Sequence, residues 1–144
     1  MMRGEIMRAY SEAYLNDVVE NQGKLFDLVS YKYPEKDTVH FINSYMTSNT
    51  RKYIDESQAY VNTMSENELL TYFCEVDNYK FVDGQSLKGF LPDWIGEFYA
   101  YYQWYYNIPS RELVKKIPVD FLDKAYNGLH DLDLDLAIKK VGNV

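Results

Sequence analysis

Apolar residues recur three or four positions apart along most of this chain, and this spacing predicts amphipathic α-helices. The first periodic segment runs from Glu5 to about Tyr31. Gly23 lies inside the segment and weakens a helix, so one bent helix and two consecutive helices both fit the pattern. We expect the segment to end at Tyr33, because Pro34 displaces the residue before it from helical geometry.

A second helix is predicted to begin after Asp37, whose carboxylate is suited to cap the free backbone N–H groups of a first helical turn. Its apolar pattern continues through Ser44 or Met46. A short third element then covers about 49–54, and a polar connection follows it.

The clearest local signal is the capping box of Ser65 and Glu68, a pair in which each side chain accepts a hydrogen bond from the other's backbone N–H. An apolar helical pattern follows it. Residues 76–90 contain two glycines and several turn-forming residues, so we expect a joint in the chain there. A short β-ribbon near 79–90 is also expected within this joint.

The most aromatic segment of the chain, Trp94 to Tyr106, predicts the central helix of the fold. Pro92 and Asp93 just before it favour a helix start. Aromatic and apolar residues cover every face of this helix, and such a helix usually lies in the middle of a bundle. Gly96 is expected to let a neighbouring helix approach closely.

Three shorter helices are predicted in the remainder of the chain from its prolines, capping residues and glycines. They cover Arg111 to Ile117 with Ser110 as the cap, Pro118 to Tyr126 with Asn127-Gly128 as the stop, and a segment capped by Asp131 that ends at Val141. The sequence therefore predicts an all-α fold, a compact multi-helix bundle around the central aromatic helix at about 94–106.

We expect one domain over residues 1–144, because a chain of this length buries about two-thirds of the surface that its unfolded form exposes. Within it, a helical first half covers 1–75 and an aromatic helical second half covers 91–144. The linker between the two halves covers 76–90.

The composition is that of an acidic, aromatic-rich globular protein. Hydrophobic residues make up 47% of the chain and aromatic residues 17%, which excludes a disordered composition. The formal charge of -7 makes nucleic acid an unfavourable partner, because phosphate recognition needs clustered Lys and Arg. We expect a cytoplasmic protein with no membrane association, since no apolar run approaches a membrane span and the N-terminus lacks the apolar core of a signal peptide.

Two roles are open to the tyrosines of the central helix. Large aromatic side chains usually lie inside a protein, which favours a structural role. Tyrosine is also enriched at the energetic centres of protein interfaces, which favours a partner-binding role for any tyrosine that faces solvent. The partner-binding residues would then be the exposed members of one set: Tyr99, Tyr102, Tyr105 and Tyr106.

The acidic segment around His130 has to be weighed as a site. Its alternating aspartates suggest a calcium loop, but Leu136 occupies the glycine position of such a loop and Gly142 its final glutamate position. His130-Asp131 suggests a metal-dependent phosphohydrolase, but His40 is the only other histidine. Helix capping explains the segment better. We therefore expect no metal site, no cofactor and no catalytic residue.

Two alternative functions stay open. Basic residues in the 110–126 helical segment faintly suggest a helix-turn-helix and hence a transcriptional or nucleic-acid-binding regulator, although Glu112 and the overall acidity favour a solvated face. An enzyme of unrecognised type centred on His130 would need a concave pocket in which this histidine meets another titratable side chain.

A pattern of aromatic, glycine and histidine residues runs through the second half of the chain. It consists of Trp94, Gly96, the run Ala100-Tyr101-Tyr102-Gln103-Trp104-Tyr105, then Pro118, Tyr126, Leu129, His130 and Asp133. Over about 92–140 this pattern resembles a family of small, largely uncharacterised bacterial proteins. The first half matches the family more loosely and lacks the glycine-rich stretch that those proteins usually carry before Met64-Ser65.

Members of that family are often encoded beside small ADP-ribosyltransferase-like proteins, in operons that resemble toxin–antitoxin or defence systems. The resemblance implies a protein partner, such as a toxin, and assigns fold-defining roles to six residues: Trp94, Gly96, Trp104, Tyr126, His130 and Asp133. Our leading hypothesis is thus a non-enzymatic protein-binding module, an antitoxin-like or accessory partner of a toxin. Homodimer formation through the aromatic helix is compatible with this hypothesis and with both alternatives.

Overall fold

The computed structural model describes residues 8–56 and 63–143, which form an all-α protein. A 3₁₀ turn (Glu12–Tyr14) precedes eight α-helices in this described part: α1 (Leu15–Lys32), α2 (Thr38–Met46), α3 (Asn49–Asp55), α4 (Glu66–Val76), α5 (Leu91–Tyr106), α6 (Ser110–Lys116), α7 (Val119–Leu129) and α8 (Leu134–Val141). Most of the polar connection after α3 and the predicted helix start at Glu5 lie outside the described residues. Over 8–14 the predicted helix is wrong: residues 8–11 are not helical, Ser11 caps the 3₁₀ turn, and α1 begins only at Leu15.

The helix starts in the first half follow their capping residues. The Asp37 carboxylate accepts a hydrogen bond from the His40 backbone N–H at 2.9 Å, which confirms the predicted cap of α2. The predicted capping box of α4 is also present. Glu68 N–H donates to Ser65 Oγ at 3.3 Å, and Ser65 N–H donates to Glu68 Oε1 at 2.9 Å.

Helix α1 continues through Gly23 without interruption, so the first of the two arrangements that the sequence left open is nearer to the structure. The glycine is buried, and a Cβ atom at this position would lie 2.6 Å from Asp93 Oδ1 and 2.8 Å from Glu97 Cγ. The helix therefore tolerates a residue of low helix propensity because α5 lies directly against it.

Helices α1 and α5 cross with their backbones in contact. A Cβ atom on Gly96 would lie 2.5 Å from the Gln22 carbonyl oxygen, so only glycine fits there. The Gln22 side chain donates to the Gly96 carbonyl oxygen at 2.8 Å, and Trp104 Nε1 donates to the Tyr10 carbonyl oxygen at 2.8 Å. The two helices therefore run antiparallel, and each comes from a different half of the chain.

Helix α5 occupies the middle of the bundle, as the sequence predicts for an all-round apolar helix. Its fully buried side chains include Ile95, Phe98, Tyr99, Ala100 and Tyr102, each with 0% exposure. The hydroxyl of Tyr99 donates to the Ile117 carbonyl oxygen and that of Tyr102 to the Gly142 carbonyl oxygen, both at 2.6 Å. Hydrogen bonds of this kind allow a tyrosine to be buried whole.

A fully buried arginine, Arg51 of α3, joins four helices. It donates to Gln22 Oε1 on α1 at 2.9 Å, to Gln103 Oε1 on α5 at 3.1 Å and to Ser110 Oγ on α6 at 2.9 Å. It also pairs with Asp55 one turn along its own helix, with Nε 3.2 Å from Oδ1. Because a buried charge is costly unless it is paired and hydrogen-bonded, this network constrains how α1, α3, α5 and α6 meet.

The charge states of this pair follow from its surroundings. Burial, the largest single influence, lowers the pKa of the Arg51 guanidinium, but Asp55 together with Tyr10 and Tyr45 outweighs it, so that the pKa lies above its ordinary value. Burial raises the pKa of the Asp55 carboxyl, and Arg51 together with two hydrogen bonds from Ser110 offsets part of that rise. Arg51 therefore stays protonated and keeps all of its N–H donors for the network.

The prediction of a β-ribbon near 79–90 is wrong. Within the described residues this segment makes a single isolated bridge, between Lys36 and Asp83, and forms no strand. Its aromatic residues turn into the core instead, where Phe81 stacks on Tyr33 with ring centroids 4.3 Å apart. Three backbone hydrogen bonds also join 82–85 to the turn before α2, with Asp37 N–H donating to Val82, Thr38 N–H to Gln85 and Gly84 N–H to Glu35. The linker is therefore fixed by these bonds and by side-chain burial without forming a strand.

Two predicted helix boundaries are also wrong. Ser110 is the first residue of α6 and does not cap it, because its hydroxyl donates to Asp55 Oδ1 at 2.8 Å. Helix α7 passes through the predicted stop at Asn127-Gly128 and ends at Leu129. Leu129 is buried, and its burial favours continuing the helix by another turn over the local preference of Asn-Gly to stop it.

The last helix, α8, begins later than predicted. Its N-cap position is Asp133, and the Asp131 carboxylate lies 3.2 Å from His130 Nε2 instead of capping a helix. Neither aspartate makes a side-chain capping hydrogen bond to α8. Burial of Ala137 and Ile138 therefore determines the position of the helix more strongly than capping does.

Substituting Gly96 tests the close crossing of α1 and α5. We expect Gly96→Ala to lower the free energy of unfolding by about 1–3 kcal/mol, because the added methyl group meets the rigid backbone of Gln22. The control is Gly128→Ala in α7, where a Cβ atom meets nothing within 4 Å and we expect a gain of up to about 1 kcal/mol. Urea unfolding followed by circular dichroism measures both. A neutral Gly96→Ala would contradict the crossing.

Removing the buried arginine tests the four-helix network. We expect Arg51→Ala to cost about 3–5 kcal/mol, because Asp55 and two glutamine carbonyls lose their buried donor. The adjacent Lys52 is exposed and lies 3.9 Å from Glu56, so Lys52→Ala is the matched control and should change stability by less than about 0.5 kcal/mol. Similar unfolding midpoints for the two variants would show that Arg51 does not hold the helices together.

Candidate functional site

A groove with a volume of about 320 Å³ lies between the first turns of α5 and the end of α7. We call it the aromatic–acidic pocket, and six side chains line it: Phe90, Asp93, Trp94, Glu97, Tyr126 and His130. The first four lie at positions i, i+3, i+4 and i+7, so Phe90 at the N-cap continues the face that the other three share on α5. Tyr126 lies in the last turn of α7, and His130 follows four residues later at its C-cap. The volume is within the range of small-ligand sites in proteins.

Aromatic rings form the walls of this pocket. The rings of Trp94 and Tyr126 meet nearly at right angles, at 79°, with centroids 5.4 Å apart. Tyr126 also stacks on His130, with centroids 4.4 Å apart. Phe90, which precedes α5, is 81% exposed, the largest value among the large apolar side chains that are exposed in the described residues. The pocket therefore has packed rings on one side, from Trp94, Tyr126 and His130, and a solvent-exposed ring, that of Phe90, on the other.

The two carboxylates of the pocket have no cationic partner within 4 Å in the part of the chain that the structure describes. Asp93 and Glu97 both lie against the Cα atom of Gly23 on α1, which is why they are half buried. The nearest lysine on α1, Lys24, pairs with Glu20 at 3.3 Å. The packing of α1 on α5 thus brings two acids of like charge together without neutralising them.

Their pKa values reflect this environment. Burial, followed by the charges of Asp93 and Glu20, raises the pKa of the Glu97 carboxyl to about 7. Burial, followed by the charge of Asp27, raises the pKa of the Asp93 carboxyl, and Lys24 offsets part of that rise. Asp93 lies in the first turn of α5, where the helix dipole favours an acid. Glu97 lies one turn further on and gains less from it.

His130 has a partner at each ring nitrogen. Nδ1 lies 2.8 Å from the Tyr126 carbonyl oxygen and Nε2 lies 3.2 Å from the Asp131 carboxylate. The histidine therefore lines a pocket that also holds Asp93 and Glu97, as the enzyme alternative requires, but its nitrogens are directed to other groups. This arrangement suits a positioning and stacking role for the ring.

A second exposed aromatic feature lies at the other end of α5. We call it the tyrosine surface and define it by Tyr101, Tyr105 and Tyr106, all partly exposed. The ring of Tyr105 lies 4.9 Å from that of Tyr106. Two cations flank it: the Arg8 guanidinium at 5.4 Å and the Lys139 ammonium at 5.5 Å from the ring centroid.

Only two of the four tyrosines proposed for partner binding belong to this surface. Tyr105 and Tyr106 are partly exposed, whereas Tyr99 and Tyr102 are completely buried and hydrogen-bonded to backbone carbonyls. The buried pair faces α6 and the end of α8, so it has no surface to offer a partner. Tyr101, which the sequence analysis did not select, takes their place because it lies one turn before Tyr105.

The six residues with proposed fold-defining roles take different positions. Gly96 lies at the close crossing of α1 and α5, as the sequence analysis expected. Trp94 and Trp104 are each 8% exposed and contact the core at opposite ends of α5. Tyr126 and His130 stack in the aromatic–acidic pocket, whereas Asp133 is exposed at the start of α8 and makes no side-chain cap.

The basic residues of the 110–126 segment do not form an uninterrupted basic surface. Arg111, Lys115 and Lys116 are exposed on α6 together with Glu112. On the neighbouring α7, Lys124 pairs with Asp120 at 3.0 Å. Charges of both signs therefore alternate over this part of the surface.

Two important residues escaped the sequence analysis. Neither Arg51 nor Glu97 is singled out by the periodicity, capping or motif patterns of the sequence. One feature of the sequence could have pointed to Glu97 and to the Arg51 network. Glu97 and Gln103 are polar residues in a helix that is otherwise almost entirely apolar. A polar residue in such a place has to be satisfied by a distant partner or to line a site.

Two structural searches give negative results. Among residues 8–56 and 63–143, no group of three or more His, Cys, Asp or Glu side chains is arranged to hold a metal ion. No helix among these residues is both long enough and apolar enough to cross a bilayer.

Comparison with protein-family models, with curated protein sequences and with solved structures gives no match.

The unusual carboxylate of the pocket makes stability depend on pH. The raised pKa of Glu97 means that the folded protein binds this proton more tightly than the unfolded chain, whose ordinary value is 4.5. The resulting stabilisation is present below about pH 4.5 and is lost as the pH rises through about 7. We expect Glu97→Gln to be more stable than the wild type, with a difference that grows from about pH 5 to about pH 8.

Urea unfolding midpoints at the two pH values measure this difference. Glu112→Gln, on the exposed face of α6, is the control for removing one carboxylate elsewhere. An advantage of Glu97→Gln that is equally large at both pH values would show that Glu97 titrates alike in the folded and unfolded chains.

Proposed function

We propose that this protein is a non-enzymatic binding module for another protein and that the tyrosine surface is its contact site. The observation that carries the proposal is the partial exposure of three neighbouring tyrosines at the end of a helix whose other aromatic side chains are mostly buried. Tyrosine combines a large apolar ring with a hydroxyl, and it loses little side-chain entropy on binding, so it is a frequent anchor in protein interfaces.

The surroundings of the tyrosine surface favour a rigid contact. Arg8 Nε donates to the Trp104 carbonyl oxygen and Arg8 Nη2 to the Tyr105 carbonyl oxygen, each at 3.0 Å. The guanidinium thus satisfies the free carbonyls at the helix end and holds the rings in place. A surface that is ordered before binding loses less entropy when a partner docks.

The partner we favour is a basic protein. The formal charge of -7 would attract such a partner over distances of about a Debye length and so increase the rate of association. The resemblance of the second half to proteins encoded beside ADP-ribosyltransferase-like proteins adds a specific candidate, a toxin that this protein would neutralise or assist.

Alanine substitutions in the tyrosine surface test the proposal. The partner is first purified from an extract of the native cells with the tagged protein as bait, and its affinity is then measured by titration calorimetry. We expect Tyr105→Ala and Tyr106→Ala to weaken binding by about tenfold or more each, which is the effect of losing an interface hot spot.

The control is Tyr31→Ala. Tyr31 is 69% exposed near the end of α1, away from the tyrosine surface, and its loss should leave the affinity unchanged. Recovery of no stoichiometric partner would count against the proposal. So would a double Tyr105→Ala/Tyr106→Ala variant that binds as the wild type does.

A further inference from the structure

We propose that the aromatic–acidic pocket is a binding site for an organic cation, an alkylammonium group such as a methylated amine or the end of a lysine side chain. This inference is carried by the juxtaposition, in one groove, of three aromatic rings and two carboxylates that form no ion pair with any described residue. The pocket and the tyrosine surface lie toward opposite ends of α5, with their centres about 16 Å apart along the helix. This inference is therefore independent of the proposed function.

The rings provide faces for a cation. Trp94 and Tyr126 form two walls of the pocket at 79° to each other, and Phe90 provides a third ring that is 81% exposed. Aromatic faces carry negative potential and attract a cation within about 6 Å of the ring centroid, most strongly for tryptophan. An ammonium group with apolar substituents binds through two contributions here. The rings attract its charge, and its substituents replace water on the ring faces.

The carboxylates provide the charge. Asp93 and Glu97 point to the same groove from adjacent turns, and α1 excludes water from one side of them at Gly23. Like charges at this spacing repel each other, and Glu20 adds to the negative field. A cation bound between the rings and these acids would neutralise the repulsion. An anion would meet the same field as a barrier, and a neutral ligand would leave it in place.

Trp94, which forms one wall, also carries an unpaired donor. Trp94 is 8% exposed, and its indole N–H has no hydrogen-bond partner among the described residues. Buried donors are rarely left unpaired, because losing their bond to water costs free energy.

The pocket is better suited to hold a cation than to transform it. Both ring nitrogens of His130 already have partners, Tyr126 and Asp131, so the histidine contributes a stacked ring and no free base. The remaining polar groups, Asp93 and Glu97, are acids of the same type. They match the charge of an ammonium group and provide no nucleophile–base pair.

Nuclear magnetic resonance titration of the whole protein tests the inference. The probe is tetramethylammonium chloride, compared with sodium chloride at equal ionic strength and with tert-butanol as an uncharged isostere. We expect saturable shifts of pocket residues with a dissociation constant of about 1–10 mM, typical of so small a ligand, for tetramethylammonium only. Nα-acetyl-lysine amide, titrated in parallel, reports whether a lysine side chain on a protein also fits.

Two variants and two matched controls make the test specific. Glu97→Gln should weaken tetramethylammonium binding by about tenfold, and Phe90→Ala, which alters an exposed ring only, by about threefold. Phe121→Ala and Asp120→Asn remove a similar exposed ring and a similar acid outside the pocket, on α7, and should bind as the wild type does.

The inference would be overturned by any of three results. These are the absence of saturable shifts, equal shifts with tert-butanol, and wild-type affinity in a folded Glu97→Gln variant. A preference for tetramethylammonium over Nα-acetyl-lysine amide would indicate a free methylated amine as the ligand, and the opposite preference a lysine of a partner protein.

Discussion

The contact between the backbones of α1 and α5 at Gly23 and Gly96 is the constraint on which the rest of the structure depends. With no room for a Cβ atom on either side, the two longest helices approach more closely than side chains normally allow. This approach brings Gln22 within hydrogen-bonding distance of α5, and it presses Asp93 and Glu97 against α1. Two glycines thus determine both the centre of the bundle and the wall of the pocket.

A buried polar network depends on the same crossing. The Gln22 side-chain N–H donates to the Gly96 carbonyl oxygen, and its Oε1 accepts a hydrogen bond from Arg51. One side chain therefore links the helix pair to the arginine. Arg51 then reaches Gln103 and Ser110, which lie 52 and 59 residues away in the chain. Such a network is satisfied in only one arrangement of the helices, and it therefore favours one packing over the alternatives that an aromatic core alone would allow.

The two ends of α5 differ because different elements cover them. At the C-terminal end, Arg8 neutralises free carbonyls, and the tyrosine rings remain partly exposed beside two cations. At the N-terminal end, Tyr126 of α7 meets Trp94 edge to face, and the acids there form no ion pair among the described residues. One aromatic helix therefore presents a cation-flanked surface suited to a protein contact and an acidic pocket suited to a positively charged group.

The sequence by itself determined the all-α class, the central place of the aromatic helix and the caps at Asp37 and Ser65, because these follow from local periodicity and from contacts a few residues apart. Tertiary structure decided which tyrosines are exposed, since this depends on which neighbours cover each face of α5. It also decided the partners of Arg51 and the meeting of Glu97 with the rings of α7, which join residues far apart in the chain. Tertiary structure also decided where α6 begins, at Ser110, and where α7 ends, at Leu129, because contacts and burial outweighed the local cap and stop preferences there.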